Sequence, residues 1–356
     1  MGILVRKEGI NVKLPKEMRA VVFEKIGQHK LVTMPVPQIR EPDELLVKIE
    51  ASSICGSDLH ILSDPPGCIA VPGTVIGHEM VGEVLETGSA VTGFRPGDRL
   101  VCDPNISCGH CEACRTGHAN MCENLHIHGV DRHGFFAQYA CVPERSAIKI
   151  SPALSTEQAI FSEPLTCVMS AVNKVRLLPG ETVVVIGAGP IGLYFLSLFK
   201  ANGAGKVISV ELSEYRIEYA KKMGADVVLN PKDQDVAEEI HALTAGRGAD
   251  VVVDAVGMCI ADALRYVCRG GRVLLFGQNG AAKETICQND ITRNEITLFG
   301  SYIGPYTMNA TVKLLESGLI DFSKMITHRL PLSEFDVGLV AMRSGMALEV
   351  ILDPSA

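Results

Sequence analysis

The chain has 356 residues, of which 47% are hydrophobic and 21% charged, and its formal net charge is -8 at pH 7. This length exceeds the size at which one hydrophobic core usually stops growing, so two domains are expected. The acidic balance and the lack of any basic run argue against nucleic acid as the partner, since such binding draws on clustered Lys and Arg.

The N-terminal segment lacks the features of a targeting signal. Charges interrupt it from Arg6 onward, and that position is not the Ser or Thr that a myristoylation motif requires. The longest low-charge run, Val183 to Phe199, contains three glycines and a proline, which indicates a strand turning into a helix rather than a membrane span. We therefore expect no membrane partner and a cytoplasmic location, where reduced, clustered cysteines favour metal binding over disulfides. Residues 1–17 are assigned no function.

Short β-rich segments dominate the first part of the chain. ELLVKIEAS, DRLVCDP and AQYACVP are broken up by Gly and Pro, which predicts an irregular, partly barrelled β domain.

Two segments within this region carry candidate metal ligands. SSICGSDLHIL contains Cys55, Ser57 and His60, and PGTVIGHEMVGEV places His78 beside Glu79. One Cys, one His and one or two carboxylates make a mixed ligand set that leaves a coordination position open for substrate. Each residue also has an ordinary structural interpretation, because a lone Cys is usually a small buried hydrophobe and His78 fits a hydrogen-bonded core histidine.

A four-cysteine cluster follows, with the spacing C-x2-C-x2-C-x7-C: Cys108, Cys111, Cys114 and Cys122. Four thiolates at this spacing can surround one tetrahedral zinc and leave no open position, so the site is predicted to be structural. An iron–sulfur cluster is the alternative, since cysteines at two-residue gaps also hold such clusters. The nearby histidines are expected to be solvated surface residues rather than ligands: His110, His118, His126, His128 and His133.

A glycine-rich motif opens the second half of the chain. Residues Thr182 to Ile186 form a β-branched apolar run suited to a buried parallel strand, and a helical pattern continues through Phe199. Gly187 permits a tight turn, Gly189 lets the backbone approach a pyrophosphate, and Gly192 allows the helix to pack on the strand. The amides at the helix N-terminus would then bind phosphate.

The residues that follow strengthen this interpretation. A second strand, Val207 to Val210, ends at Glu211, at the distance that a dinucleotide site requires for an acidic residue on the adenosine ribose. A carboxylate there repels a 2′-phosphate, so NAD is predicted over NADP. Further strands are predicted at Val227–Leu229, Asp250–Val256, Arg272–Phe276 and Ile296–Gly300. This alternation of strands and helices predicts an open parallel sheet with helices on both faces.

These elements predict an α/β chain of two domains. Residues 166–304 form a doubly wound cofactor domain, and residues 1–165 with 305–356 form the β-rich domain. The tail is included there because its helix, Met308 to Ser317, and its apolar strand, Leu348 to Leu352, are expected to return to the first domain.

Taken together, the motifs resemble those of the zinc-dependent medium-chain dehydrogenase family, in the branch of sorbitol (polyol) dehydrogenases and threonine dehydrogenases. CGSDLH at Cys55, GHEMVGEV at Gly77, the four-cysteine lobe and GAGPIG stand in the family's order and approximate spacing. The resemblance implies a GroES-like catalytic domain and a Rossmann NAD-binding domain. It also implies one catalytic and one structural zinc per chain, and a homotetramer or homodimer.

The resemblance also assigns roles to individual residues. Cys55, His78 and Glu79 become catalytic-zinc ligands, and Glu163 of SEPLTC lies beside the metal, bound directly or through water. Alcohol dehydrogenases of the family commonly have a Cys ligand in that segment, so Glu163 and its EPL motif favour the polyol branch. Arg216 is placed against the adenine. The full set of cofactor residues implied by the family is Gly187, Gly189, Pro190, Ile191, Gly192, Glu211, Arg216 and Val256.

A reaction scheme follows from the resemblance. Zinc lowers the pKa of an alcohol oxygen, as it does for bound water. Ser57 accepts the proton and His60 passes it toward solvent through the cofactor ribose, while hydride moves to the nicotinamide. Without the resemblance, Ser57 would be interpreted as a turn-capping hydroxyl and His60 as a surface residue.

The expected function is oxidation of a small polyol or cyclitol at a secondary carbon by NAD. L-Threonine 3-dehydrogenase is the first alternative, because THRLPLSEFDVGLVAMRSG resembles that branch at least as well, whereas the EPL motif does not. A polyol-phosphate dehydrogenase is disfavoured because no basic cluster is visible near the expected site. A catalytically silent zinc and nucleotide-binding protein is the alternative from another class, which the retention of Ser57, His60 and Glu211 disfavours.

Overall fold

The structure, a computed structural model, describes residues 4–7 and 10–356, with side chains from residue 14 onward. The chain divides into two units, one formed by Met1–Pro164 with Met308–Ala356 and the other by Leu165–Thr307. Within the described ranges no helix is long and apolar enough to cross a membrane.

The elements follow one another in chain order. The first unit begins with β1 (Leu4–Lys7), β2 (Ile10–Lys13), β3 (Glu17–Lys25), β4 (Gln28–Pro35), β5 (Glu44–Ser53), α1 (Gly56–Ile61), β6 (Glu79–Thr87), β7 (Arg99–Cys102), β8 (Asn105–Ile106), α2 (Glu112–Arg115), β9 (His126–Ile127), β10 (Tyr139–Pro143), β11 (Ala147–Lys149) and α3 (Thr156–Ala159). Helix α4 (Ser162–Val175) begins in the first unit and continues into the second.

The second unit contains β12 (Thr182–Ile186), α5 (Pro190–Ala201), β13 (Lys206–Val210), α6 (Glu214–Lys222), β14 (Val227–Leu229), α7 (Val236–Leu243), β15 (Ala249–Asp254), α8 (Ile260–Tyr266), β16 (Val267–Leu275), α9 (Gln288–Arg293) and β17 (Thr297–Gly300). The chain then returns to the first unit with α10 (Met308–Ser317), β18 (Ile326–Pro331), α11 (Phe335–Arg343) and β19 (Glu349–Asp353). Short 3-10 helices cover Ala119–Met121, Glu144–Ser146, Phe322–Met325 and Leu332–Glu334.

A seven-stranded sheet organises the first unit, in the order β11-β7-β6-β5-β19-β18, with β10 also paired to β5. Strand β5 is central because it pairs with β6, β10 and β19. Its register with β6 sets Ser53 opposite Glu79, and its register with β19 sets Ser53 opposite Ile351. The sheet therefore brings the segment that follows β5 next to the residue that opens β6.

Buried apolar residues hold these two segments in place. Ile54 and Ile76 belong to one cluster with Phe136. Gly77 has φ of +88°, and a Cβ there would lie 2.5 Å from the Phe136 ring, so only glycine fits between this ring and His78. The remaining cluster members include Ile61, Leu62, Phe335, Leu339, Val350 and Leu352.

The second unit is a six-stranded parallel sheet in the order β14-β13-β12-β15-β16-β17. Relative to the chain, this is the third, second, first, fourth, fifth and sixth strand, which is the Rossmann order. Its central strands are buried apolar runs, as at Val183–Val185 and Val251–Val253. The predicted α/β fold, with a partly barrelled β domain and a doubly wound domain, is confirmed.

Candidate metal and cofactor sites

The four-cysteine lobe brings its sulfurs into one cluster. The Sγ atoms of Cys108, Cys111, Cys114 and Cys122 all lie within 4.8 Å of one another. The Cys108–Cys114 distance is 4.0 Å and the Cys111–Cys122 distance is 3.9 Å. Zinc–sulfur bonds of about 2.3 Å in a tetrahedron place sulfurs about 3.8 Å apart. The spacing therefore fits one tetrahedrally coordinated zinc.

Backbone amides point at these sulfurs. Cys108 donates its N–H to the Sγ of Cys122 at 3.2 Å, and Asn124 donates to the same sulfur at 3.3 Å. Backbone hydrogen bonds from His110 and Cys111 lower the pKa of Cys108 to about 6. Donors of this kind stabilise thiolates, the form in which cysteine binds metal.

One histidine near the lobe departs from its predicted surface position. His128 is only 4% exposed, whereas His110, His118, His126 and His133 are exposed as expected. Its Nδ1 lies 2.7 Å from the His133 carbonyl oxygen, and its ring centroid lies 5.0 Å from that of Phe135. Burial lowers its pKa, so it is a neutral core residue. None of these histidines joins a metal-ligand group among the described residues.

The second candidate metal centre is formed by Cys55, His78 and Glu79, whose ligand atoms lie within 4.8 Å of one another. The pairing of β5 with β6 brings the three residues together, because Glu79 stands opposite Ser53 and Cys55 comes two residues after Ser53. His78 and Glu79 are buried, and Cys55 is half-buried. The Ser53 hydroxyl donates a hydrogen bond to Glu79 Oε2 and fixes that carboxylate.

The charge balance of this group fits a cation. Burial opposes the charge on His78, but attraction from Asp58 and Cys55 outweighs it and raises the pKa well above the usual value. Burial, together with repulsion from Cys55 and Glu349, raises the pKa of Glu79 well above its usual value. Both shifts reflect, besides burial, nearby negative charge that a divalent cation would offset, and a Cys, His and carboxylate set suits zinc.

Asp58 supports the group, although the sequence analysis did not single it out. Its side chain is fully buried, and its Oδ2 accepts a hydrogen bond from the Cys55 amide at 2.9 Å. Its Oδ1 lies 3.6 Å from Nδ1 of His78. A carboxylate behind a ligating histidine orients the ring and selects the nitrogen that faces the metal. The available signal was the position of Asp58 within CGSDLH, three residues after Cys55.

Three other residues predicted to be catalytic are Ser57, His60 and Glu163. Ser57 Oγ lies 3.7 Å from Cys55 Sγ on the exposed first turn of α1. His60 is exposed on the next turn, and its carbonyl oxygen accepts the Gly67 amide at 3.0 Å. Glu163 lies in the first turn of α4, half-buried, and contributes to the raised pKa of Glu79.

The glycine-rich motif forms a tight turn from β12 into α5. Gly187 has φ of +90°, and a Cβ on Gly192 would lie 1.9 Å from the Gly187 carbonyl oxygen. Gly189 caps α5, whose first two residues are Pro190 and Ile191. The glycines therefore keep side chains away from the backbone at this helix N-terminus, which is an arrangement that binds phosphate.

Glu211 lies at the end of β13 beside this turn and is only 8% exposed. Its Oε2 accepts the Ala188 amide at 2.7 Å, and its Oε1 accepts the Leu212 and Ser213 amides at 2.8 and 2.9 Å. The carboxylate is thereby held against the turn.

Two further predicted cofactor residues reach the same turn. A Cβ on Gly187 would lie 2.7 Å from Val256 Cγ2, and one on Gly189 would lie 3.9 Å from Arg216 Nη1. Val256 and Arg216 thus approach the glycine-rich turn from two sides, because they follow β15 and β13, which flank β12.

The chain is similar to known proteins over nearly its whole length. Family models described as "Alcohol dehydrogenase GroES-like domain" and "Zinc-binding dehydrogenase" match residues 41–152 and 190–317. L-Threonine 3-dehydrogenase of Caldanaerobacter subterraneus is 38% identical, with 95% of this chain and 99% of that protein aligned. Sorbitol dehydrogenase of Bacillus subtilis is 34% identical, with 90% and 92% aligned.

A solved structure shows the same architecture. A zinc-binding dehydrogenase of Sinorhizobium meliloti, bound to NADP, is 33% identical and gives a TM-score of 0.91, with 96% of this chain and 100% of that chain covered.

Proposed function

The chain belongs to the zinc-binding alcohol dehydrogenase family, in the branch of sorbitol and threonine dehydrogenases, and we propose that it oxidises a small polyol or cyclitol with NAD. The reaction converts a secondary alcohol and NAD⁺ into a ketone, NADH and a proton. The observation that carries the proposal is the group of Cys55, His78 and Glu79, which combines three zinc donors with anionic surroundings.

Two zinc sites are proposed. Cys55, His78 and Glu79 hold the catalytic ion, with Glu163 beside it as a direct or water-linked ligand. When bound there, zinc lowers the pKa of an alcohol oxygen toward neutrality. The four cysteines of the lobe hold a second ion with no open position, so its role is structural.

The protein's own groups move the proton. Ser57 accepts it from the substrate hydroxyl, and the position of its Oγ, 3.7 Å from Cys55 Sγ, supports this role. His60, exposed on the next turn of α1, passes the proton toward solvent. Asp58 keeps His78 oriented while the charge at the site changes.

NAD is the proposed cofactor, and it accepts the hydride when bound. Phosphates meet the amides at the start of α5, and Glu211 accepts hydrogen bonds from the adenosine ribose. Its buried negative charge beside the turn disfavours a 2′-phosphate. Since the Sinorhizobium meliloti protein is bound to NADP, both cofactors belong in the test.

The proposed ligand set suits a substrate with neighbouring hydroxyls. A zinc ion held by Cys55, His78 and Glu79, with Glu163 beside it, could bind adjacent oxygens of one substrate. Buried polar groups also penalise an analogue that lacks the hydroxyl they pair with, so a simple alkyl alcohol should be a poorer substrate.

L-Threonine oxidation is the second candidate, because the Caldanaerobacter subterraneus threonine dehydrogenase is 38% identical along 99% of its length. The EPL motif that contains Glu163 differs from the threonine dehydrogenase branch, so we rank threonine below the polyols.

A substrate panel tests the proposal. Polyols, cyclitols, a polyol phosphate, L-threonine, ethanol and 2-propanol are each assayed with NAD and NADP by the absorbance of the reduced nicotinamide. We expect the highest kcat/KM for a polyol or cyclitol with NAD. If threonine or a simple alcohol exceeds every polyol, the substrate assignment is wrong. If no compound reduces either cofactor, the silent binding protein becomes the better interpretation.

We also propose a cytoplasmic homodimer or homotetramer. None of the twelve cysteines is paired in a disulfide, and the proposed metal-binding cysteines need a reducing compartment. Light scattering coupled to size exclusion measures the assembly directly.

A further inference from the structure

Asp254, the last residue of β15, organises the loop that follows it. The side chain is buried, with 2% of the residue exposed. Its Oδ1 accepts the amides of Val256 and Gly257 at 2.9 and 2.8 Å, and its Oδ2 accepts the amide of Cys259 at 2.8 Å. One carboxylate thus holds three backbone donors that would otherwise lack partners in a loop.

The backbone around Asp254 joins neighbouring strand ends. Its carbonyl oxygen accepts the amides of Phe276 and Gly277, both at 3.0 Å, and the Ala255 amide donates to the Ile186 carbonyl at 3.1 Å. The ends of β12, β15 and β16 therefore meet at this residue. In open parallel sheets, ligands bind at the carboxyl ends of the strands, at the point where the strand order reverses. In this sheet the order reverses between β12 and β15.

The loop packs tightly against the segment that follows β16, and Val256 also approaches the glycine-rich turn. Gly257 has φ of +92°, and a Cβ there would lie 2.6 Å from the Gly277 carbonyl carbon. Val256 places its Cγ2 only 2.7 Å from the Cβ position of Gly187. A small shift of this loop would therefore move Val256 relative to the turn.

We infer that Asp254 is a positioning residue for the nicotinamide half of the cofactor, acting through Val256 and Gly257 without touching the cofactor itself. The inference rests on the proposed NAD-dependent function and adds a residue outside the glycine motif. The strand order indicates which half of the cofactor the loop would meet. Glu211 follows β13 on one side of β12, and the loop that contains Val256 follows β15 on the other side. Because Glu211 faces the adenosine ribose, this loop faces the other half.

The substitution Asp254→Asn tests the carboxylate with almost no change in volume. The amide would turn an NH₂ donor toward at least one backbone N–H, so the loop could not keep all three hydrogen bonds. We expect the Kd of NADH, measured by fluorescence titration, to rise by about tenfold, since a charge-assisted hydrogen bond contributes roughly this factor. AMP occupies only the adenosine side of the site, so its Kd should be the same for Asp254→Asn and for the unsubstituted protein.

Asp250→Asn is the matched control. Asp250 stands near the opposite end of the same strand, where its Oδ2 accepts the Thr182 amide at 2.8 Å and its Oδ1 pairs with Arg247. The substitution removes a negative charge from a half-buried position in the same sheet, at the edge away from the proposed cofactor site. We expect reduced thermal stability with unchanged NADH affinity.

The outcomes separate the explanations. An unchanged NADH Kd in Asp254→Asn overturns the inference, as does an equal loss of NADH affinity in Asp250→Asn or an equal loss of AMP affinity. If Asp254→Asn does not fold, Val256→Ala tests the same loop, and unchanged NADH affinity in that variant also overturns the inference. An unsubstituted protein that binds neither NADH nor NADPH overturns the proposed function itself.

Discussion

Ser57 and Asp58 are adjacent in the first turn of α1 but face different partners. Ser57 is exposed near Cys55, whereas Asp58 is buried between the Cys55 amide and His78. One helical turn thus carries an exposed hydroxyl and a buried carboxylate. In the proposed mechanism the hydroxyl takes part in proton transfer and the carboxylate positions His78.

Substitution of Ser57 by Ala should lower kcat by about 100-fold, the effect expected from losing a positioned proton acceptor. Zinc content and NADH affinity should stay unchanged, because Ser57 belongs to neither ligand set. His60→Ala should cost less, since water can replace the last member of a proton path. Steady-state kinetics with metal analysis checks this.

Ser155→Ala is the control for this prediction. Its hydroxyl accepts the Gln158 amide at the start of α3, so its loss should cost about 1 kcal/mol of stability and leave kcat unchanged. Near-normal turnover in Ser57→Ala would remove Ser57 from the mechanism.

For individual residues, the sequence pointed to candidate metal ligands but not to the residues that contact them. Cys55, His78 and Glu79 stand out because metal ligands form a small chemical set. Asp58 does not, because only the fold shows that a buried carboxylate in the same motif lies behind His78. The burial of His128 was likewise unpredictable, since its contact with Phe135 depends on loop packing.

Among the elements, the lobe that contains α2 is the one whose geometry depends most on a metal. Its helix has four residues and none of them is buried, so the helix itself contributes little to a hydrophobic core. If the proposed zinc binds the four sulfurs, it would supply stability that burial does not.

Cys111→Ser should therefore remove about one zinc per chain and lower the thermal midpoint, because a hydroxyl is a poor substitute for a thiolate ligand. Absorption spectroscopy after cobalt substitution distinguishes the sulfur-rich site from the mixed one. Cys287→Ser, at an exposed cysteine outside the lobe, is the control and should change neither quantity. Unchanged zinc content with full stability in Cys111→Ser would contradict a metal in the lobe.

Strand positions in the second unit followed from local patterns, but their ends did not. The predicted strand Asp250–Val256 ends at Asp254 because that side chain captures the next amides. The strand predicted to begin at Arg272 starts at Val267, where a register shift near Ala249 accommodates the extra residues. The register that sets Ser53 opposite Glu79 joins distant segments, so no local pattern encodes it.

On the scale of the whole molecule, the two chemical tasks belong to different units. Every proposed zinc ligand lies within Met1–Pro164, and every proposed cofactor residue lies within Leu165–Thr307. In the proposed function, metal and dinucleotide would therefore bind to units with separate cores, so that each binding event has its own structural basis.

Metal removal tests this division. Dialysis against a chelator should reduce turnover by at least about 100-fold, since no residue of the chain can replace the Lewis acid. NADH affinity should change by less than about twofold, because no residue of the glycine-rich turn or its neighbours belongs to a zinc site. Fluorescence titration before and after chelation, followed by restoration with zinc, measures both effects on one sample. Loss of NADH binding, with the second unit still folded by hydrogen exchange, would mean that the metal also shapes the cofactor site.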